Sequence, residues 1–215
     1  NISTIGVNCS TVYSFSGTNF VYTSNVTGIV SGGTARTYNT WIRLPSALTR
    51  YSTIFGQGTL SSYRRSALLI DIASRTPSYN NGAGTYLMQL DFQVGGVWSE
   101  RFNINDTNWH MITVTFDGTA AGTGTTFFID GVPLSNPSAN PVNGFTKSSV
   151  NTLNFNNSIT LGGETYDGTT LSPQTGFVGE IRNSNAWSRA LTASEIADIY
   201  NSVAFPTNGL FFSKD

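Results

Sequence analysis

Residues able to do acid–base or nucleophilic chemistry are few in this chain. His110 is the only histidine and Cys9 the only cysteine among 215 residues. Any Ser/His/Asp or Cys/His arrangement must therefore use His110. It sits beside Trp109 in the alternating segment His110-Met-Ile-Thr-Val-Thr-Phe116, where a histidine is ordinarily a partly buried packing residue. One cysteine excludes an internal disulfide and a multi-cysteine zinc site, and there is no histidine cluster for zinc. Glycoside hydrolysis needs two carboxyl groups facing each other across a bond. The 12 Asp and Glu residues are scattered at turns, and Asp71 with Asp91 or Glu100 can pair only through folding. No glycine-rich loop followed by Lys and a helix is present, which argues against nucleotide binding. Trp98, in Gly95-Gly-Val-Trp-Ser99, lies just past a turn. An exposed Trp there can stack its apolar face on a sugar ring; plain packing is the alternative.

The composition narrows the partners. Lys+Arg is 11 and Asp+Glu is 12, for a net charge of -1. That balance argues against a basic nucleic-acid face and a polybasic membrane patch. Charged residues make up 11 %, against roughly 25 % in an ordinary soluble domain. Solubility must rest on Asn, Ser, Thr and Gly, as in many secreted, cell-surface or virion-surface proteins. Five tripeptides, at Asn1, Asn8, Asn25, Asn105 and Asn156, fit the N-glycosylation pattern, but a chain this rich in Asn, Ser and Thr produces them by chance. No apolar run approaches ~18 residues, so no membrane insertion is expected. Asn1 is not an initiator Met and no leader follows, so residues 1–215 read as a single domain excised from a larger protein. Other domains of that parent chain are then expected partners.

The elements that must position these residues are strands. Short alternating or apolar runs are separated by Gly, Asn, Ser and Pro clusters. Expected strands are Val12–Phe15, Tyr38–Leu44, Tyr51–Gly56, Ala67–Ile72, Thr85–Phe92, Val97–Phe102, His110–Phe116, Thr125–Ile129, Ile159–Gly162 and Phe177–Trp187. Asp130-Gly131 reads as a tight turn, and Ser135–Ser149 as a surface loop. Ten or more strands in one unit must stack or close, which predicts an all-β, two-sheet antiparallel jelly-roll sandwich. Trp41, Trp109 and Trp187 are expected between the sheets. One short C-terminal helix is marked by the capping box Thr192-Ala-Ser-Glu195, with Leu191 and Ile196 as a hydrophobic staple. It is expected to cover one end of the sandwich.

Several segments resemble laminin-G-like and pentraxin-like domains of the concanavalin A-like lectin/glucanase superfamily. They are Val12–Phe20, Tyr38-Asn-Thr-Trp-Ile-Arg43, Trp109–Gly118 with Phe127-Phe-Ile-Asp-Gly131, and Phe177–Trp187 running into Leu191, Thr192–Glu195 and Ile199-Tyr200. The resemblance implies the concanavalin A-like form of the jelly roll. It also implies a calcium loop at Leu161-Gly-Gly-Glu-Thr-Tyr-Asp-Gly168, with Glu164 at the family's glutamate and Asp167 one residue later than its aspartate. Two carboxylates are too few for calcium, which takes six to eight oxygens. The family's second contribution, an Asp-Asn pair, falls at Gly58–Arg65, which has no carboxylate. The pentraxin disulfide positions are not cysteines here.

The family implies a carbohydrate-binding or adhesion module that recognises a cell-surface or cell-wall glycan. The expected ligand-binding residues are Trp98, Tyr79, Tyr86 and Tyr166, on or near the Tyr79–Tyr86 and Gly163–Gly168 segments. A second reading is a polysaccharide lyase or glycoside hydrolase on the same fold, which would draw on His110, Tyr86 and Arg101. A third is a structural or protein-binding module.

Overall fold

The computed structural model of the chain describes residues 11–44, 48, 51–59, 64–72, 85–92, 96–104, 106–119, 124–134, 157–167, 169–172 and 175–215. Cys9, Tyr79 and the 135–149 stretch lie outside the described residues.

Two antiparallel sheets face each other. The first runs β1 (Tyr13–Ser16), β12 (Val178–Trp187), β3 (Arg36–Arg43), β8 (Trp109–Phe116), β9 (Thr125–Ile129) and β10 (Val132–Pro133), with β13 (Leu210–Lys214) also beside β12. The second runs β2 (Val21–Thr23), β11 (Ile159–Leu161), β4 (Ser52–Thr59), β5 (Arg64–Ile72), β6 (Thr85–Phe92) and β7 (Gly96–Asn103). Strands adjacent in sequence fall repeatedly into different sheets, as a jelly roll requires. Strands β2, β10 and β13 are not among the expected strands; β2 and β10, of three and two residues, are too short to show a period.

Alternation decides which side chains fill the core. Tyr38, Ile42, Ile112, Val114, Phe116 and Ile181 from the first sheet meet Ile54, Phe55, Leu68 and Ile70 from the second. Tyr38 stacks on Phe55 with ring centres 4.7 Å apart, and Phe212 meets Phe55 edge-on at 5.6 Å. Two polar side chains that enter this core are bonded to each other. The Tyr38 hydroxyl donates to Gln57 Oε1 at 2.7 Å, and Gln57 Nε2 donates to the Val30 carbonyl at 2.5 Å. Every residue of β4 is buried, so the centre of the second sheet is covered on both faces.

A second, smaller core lies on the outward face of the first sheet. Helix α1 (Ala193–Tyr200) starts from the predicted capping box: Thr192 accepts from the Glu195 N–H, and the Glu195 carboxylate accepts from the Thr192 N–H. Arg189 holds that carboxylate with two hydrogen bonds, and these, with the Thr192 donors, lower the Glu195 pKa to about 2. Leu191 and Ile196, the staple pair, bury against Met111, Phe128 and Trp187. The helix therefore covers a sheet face rather than an end of the sandwich. The three tryptophans are likewise displaced from the expected position. Trp187 is buried under the helix, Trp41 packs at its margin, and Trp109 shares their face through the register of β3 and β8. Parity explains it: each neighbours an inward-facing residue, namely Ala186, Ile42 or, two steps on from its neighbour His110, Ile112. Among the described residues no helix is long and apolar enough to cross a membrane.

The Asp130-Gly131 turn is as expected. Ile129 pairs with Val132, and both turn residues have positive φ, 51° and 80°. That is the two-residue geometry whose twist matches its strands.

Candidate functional site

Two inward-facing isoleucines set up the site. Ile42 in β3 and Ile181 in β12 belong to the main core. Their neighbours Trp41, Arg43, Glu180 and Arg182 therefore point out of the first sheet. Register places Glu180 opposite Arg43, Arg43 opposite Trp109, and Arg182 opposite Trp41. Strands lie about 4.8 Å apart, so acid, cation and aromatic form one row across three strands. Arg182 and Trp41 form the next row. Helix α1 ends at Tyr200, whose ring stacks on Trp41 at 5.6 Å and 14°. Beyond that ring the five side chains are only partly buried, and they form an open shelf.

The shelf holds more positive than negative charge. Arg43 Nε donates to the Glu180 carboxylate, and that bond raises the Arg43 pKa. The Arg182 guanidinium lies 4.3 Å from the centre of the Trp109 ring and 5.5 Å from that of Trp41, while Arg43 sits 5.3 Å from Trp109. Such cation–π contacts fix a flexible side chain in place. Burial, and then repulsion from Arg43, lower the Arg182 pKa. Its Nε is buried and makes no hydrogen bond. Among the described residues, the one carboxylate of the shelf is therefore bonded to Arg43, and the Arg182 guanidinium has no carboxylate partner.

A β-bulge aims Arg182. Between the pairs Arg182–Trp41 and Asn185–Asn39, two residues of β12 oppose the single Thr40. Asn183 takes the left-handed conformation at φ 49°, which Asn tolerates better than most residues. The Thr40 hydroxyl meets Ser184 Oγ at 2.7 Å and donates to the Arg182 carbonyl at 3.3 Å. Bulges of this kind re-aim side chains and sharpen local twist.

The residues expected from sequence are dispersed. Tyr166 is 47 % exposed on the loop after β11. Asp167 shapes that loop by accepting from the backbone N–H groups of Thr169 and Thr170 and from both hydroxyls. Those bonds lower its pKa to about 2. Glu164 is buried, and its carbonyl accepts from the Ser172 N–H. Tyr86 is only 3 % exposed, with its ring tilted against Phe102 in the main core. It has no ring face left for a sugar, which corrects that expectation; the period-2 pattern of β6 points it inward with Met88 and Leu90. Trp98 and Arg101 lie in β7 opposite Leu90 and Leu87, but their side chains, like Tyr79, are outside the described residues.

His110 is clasped. Its Nδ1 lies 2.8 Å from Asp130 Oδ2 and its Nε2 2.9 Å from Asp106 Oδ1. Burial opposes protonation, but the bonds to Asp130 and Asp106 outweigh it and raise the pKa. Asp130 Oδ1 also accepts from the Met111 N–H at 2.9 Å. With both ring nitrogens held by carboxylates, His110 fastens the start of β8 to two turns.

The comparisons with known proteins agree with this architecture. The laminin-G-type family model described as the concanavalin A-like lectin/glucanases superfamily matches residues 15–197. The chain belongs to this superfamily. A heptameric SAP-like pentraxin from Limulus polyphemus is 14 % identical, covering 95 % of this chain and 91 % of that one, with a TM-score of 0.59. A candidate carbohydrate binding protein from Bacteroides ovatus is 19 % identical over 92 % of this chain and 50 % of its own, at a TM-score of 0.57. The mouse laminin α1 chain, domains LG4-5, is 15 % identical over 85 % of this chain and 43 % of that chain, at a TM-score of 0.54. At these identities the likeness is one of fold. No curated protein sequence matches significantly.

For this concanavalin A-like domain the calcium expectation meets a poor donor set. Asp167 already spends its carboxylate oxygens on four local donors, and Glu164 is buried. No group of three or more His, Cys, Asp or Glu residues gathers among the described residues. As placed, the Asp167 and Glu164 carboxylates leave few free oxygens for a calcium ion.

The shelf, by contrast, was not singled out from sequence. Its signal was present: Trp41-Ile42-Arg43 and Glu180-Ile181-Arg182 each bracket one apolar residue with large polar or aromatic ones. Reading tryptophan as core concealed it.

Proposed function

We propose that the chain is a glycan-binding module displayed outside the cell or on a virion surface as part of a larger protein. The observation that carries this reading is the outward row Glu180–Arg43–Trp109 with Arg182 and Trp41 behind it. Sugars offer adjacent hydroxyls and an apolar C–H face. Acceptor, donors and an indole edge at strand spacing match both. The exposed hydroxyl side chains of Ser14 and Ser16 extend the surface, since β1 pairs with β12 at Glu180 and Val178. Superfamily membership and the fold shared with the Bacteroides ovatus protein support the reading. Tyr166, on its Asp167-braced loop, is a second and separate contact surface.

The test is a broad glycan and cell-wall polysaccharide array, probed with wild type, Trp109→Ala and Tyr166→Ala, with calcium and with chelator. The expected result is binding that survives chelation, is lost in Trp109→Ala and persists in Tyr166→Ala. Binding lost in Tyr166→Ala alone moves the site to the loop. Binding lost on chelation restores a calcium mechanism. No glycan bound by any form overturns the reading.

A further inference from the structure

We infer that the shelf selects glycans bearing a carboxylate, with Arg182 as the residue that receives it. This rests on the glycan-binding reading above and names the ligand class for that site. Three observations point the same way. First, Arg182 is a cation without a counter-ion: among the described residues its guanidinium makes no ion pair and no hydrogen bond, and its only contacts of note are the Trp109 and Trp41 rings. Second, the acid of the shelf is spoken for, because among the described residues Glu180 binds Arg43 Nε. The shelf therefore carries a surplus positive charge in a chain whose net charge is -1. Third, Arg182 is held in place before any ligand arrives. The two indoles flank its guanidinium while the Asn183 bulge fixes its backbone, so less rotamer freedom is left to lose on binding.

A guanidinium presents a planar fork of donors that matches a carboxylate in two parallel hydrogen bonds. A carboxylate lies flat in the plane of that fork and can continue it past the indole. A tetrahedral sulfate or phosphate can also place two oxygens in that plane, but its other oxygens project above and below it, toward the indole. The surroundings suit a sugar acid rather than a bare anion. Trp109 offers an apolar face or edge for ring C–H groups, and Ser14, Ser16 and the outer nitrogens of Arg43 offer partners for hydroxyls. An anion bound here also separates two like charges, because it screens Arg182 from Arg43.

The experiment compares matched probes that differ only at the carboxyl group. A sialylated trisaccharide and an oligouronide are each titrated against their carboxyl-reduced forms, with a sulfated oligosaccharide alongside, by calorimetry at low and moderate salt. Proteins are wild type, Arg182→Gln and Arg182→Lys, each checked for an unchanged melting transition. A charge-assisted bidentate contact predicts a preference of about tenfold or more for at least one acidic probe over its reduced form, weakening as salt rises. Arg182→Gln should erase the preference while leaving weak binding of the reduced form. Arg182→Lys should restore part of it. Equal affinity of wild type for acidic and reduced forms overturns the inference and leaves the glycan-binding reading standing. So does a stronger response to the sulfated probe, or a preference that survives in Arg182→Gln. Binding of no probe in any form removes the reading and the inference together.

Discussion

The outward face of the first sheet is built twice over from the same kinds of residue, with opposite results. Under helix α1, Trp187 is wholly buried, its indole N–H donates to the Pro206 carbonyl at 2.7 Å, and Leu191 and Ile196 close over it. Two and three rows further along the same strands, Trp41 and Trp109 meet Arg182, Arg43 and Tyr200 instead, and remain open to solvent on one side. Strand, face and residue type are shared. What differs is coverage: the helix is eight residues long and ends at Tyr200. An eight-residue helix spans about 12 Å, too little to cover the whole face. The contrast teaches that an outward tryptophan becomes core where a helix supplies an apolar lid. Where cations supply the contact, it becomes surface equipment.

The largest effect that sharpens this contrast is expected at Trp187. Trp187→Ala removes a fully buried indole and orphans the Pro206 carbonyl, which should cost about 3–5 kcal/mol. Denaturant unfolding measures it, and the fraction still folded should bind glycan as wild type does. A loss below about 1 kcal/mol would mean that the helix-covered half is not a core at all.

His110 comes next, because it ties the strand that carries Trp109 to its turns. Its pKa is raised above the ordinary 6.5. The protonated form is thus the one the folded state favours. Its contribution is complete below about pH 6.5 and fades as pH rises through the higher folded value. His110→Gln should cost about 1–2 kcal/mol at pH 6 and flatten the decline that wild type shows as pH rises above 6.5. A wild-type midpoint that rises over this interval would show that burial, not the Asp130 and Asp106 bonds, governs the ring.

How much of this was legible beforehand depends on the kind of signal. The long strands announce themselves by period, and the capping box at Thr192–Glu195 and the turn at Asp130-Gly131 by specific chemistry; all are present as expected. The helix's placement was not legible, because Ile196 and Leu191 fix an apolar stripe but not the surface it meets. The site was not legible for a related reason. Identity alone assigns tryptophan to a core, whereas position in the alternation assigns Trp41 and Trp109 to the outer face. Asp167 shows a different limit. Motif likeness suggested a metal ligand, and it gave no sign of the turn that Thr169 and Thr170, two and three residues on, build on that carboxylate.

Smaller still is the cap itself. Thr192→Ala should cost about 1 kcal/mol. Because Tyr200 at the far end of the helix stacks on Trp41, fraying should reach the shelf, with a modest loss of glycan affinity beside the stability loss. An unchanged affinity would mean that the Tyr200–Trp41 stack does not shape the site.

The smallest expected change in stability, and the most informative, belongs to Trp109. Trp109→Ala removes a partly buried ring whose main partners are two guanidinium groups, and contacts of that kind contribute about 0.5–1 kcal/mol when solvent reaches them. The unfolding midpoint should hardly move, while glycan affinity should fall about tenfold or more, as it does when an anchoring aromatic is truncated. The pairing of the two readouts carries the weight. A stability loss as large as that of Trp187→Ala would make the shelf a second buried core and erase the difference between the halves. A stable variant that binds as well as wild type would leave the difference intact but deprive it of function. Only a stable variant that no longer binds is consistent with a sheet face whose uncovered half exists to meet a ligand.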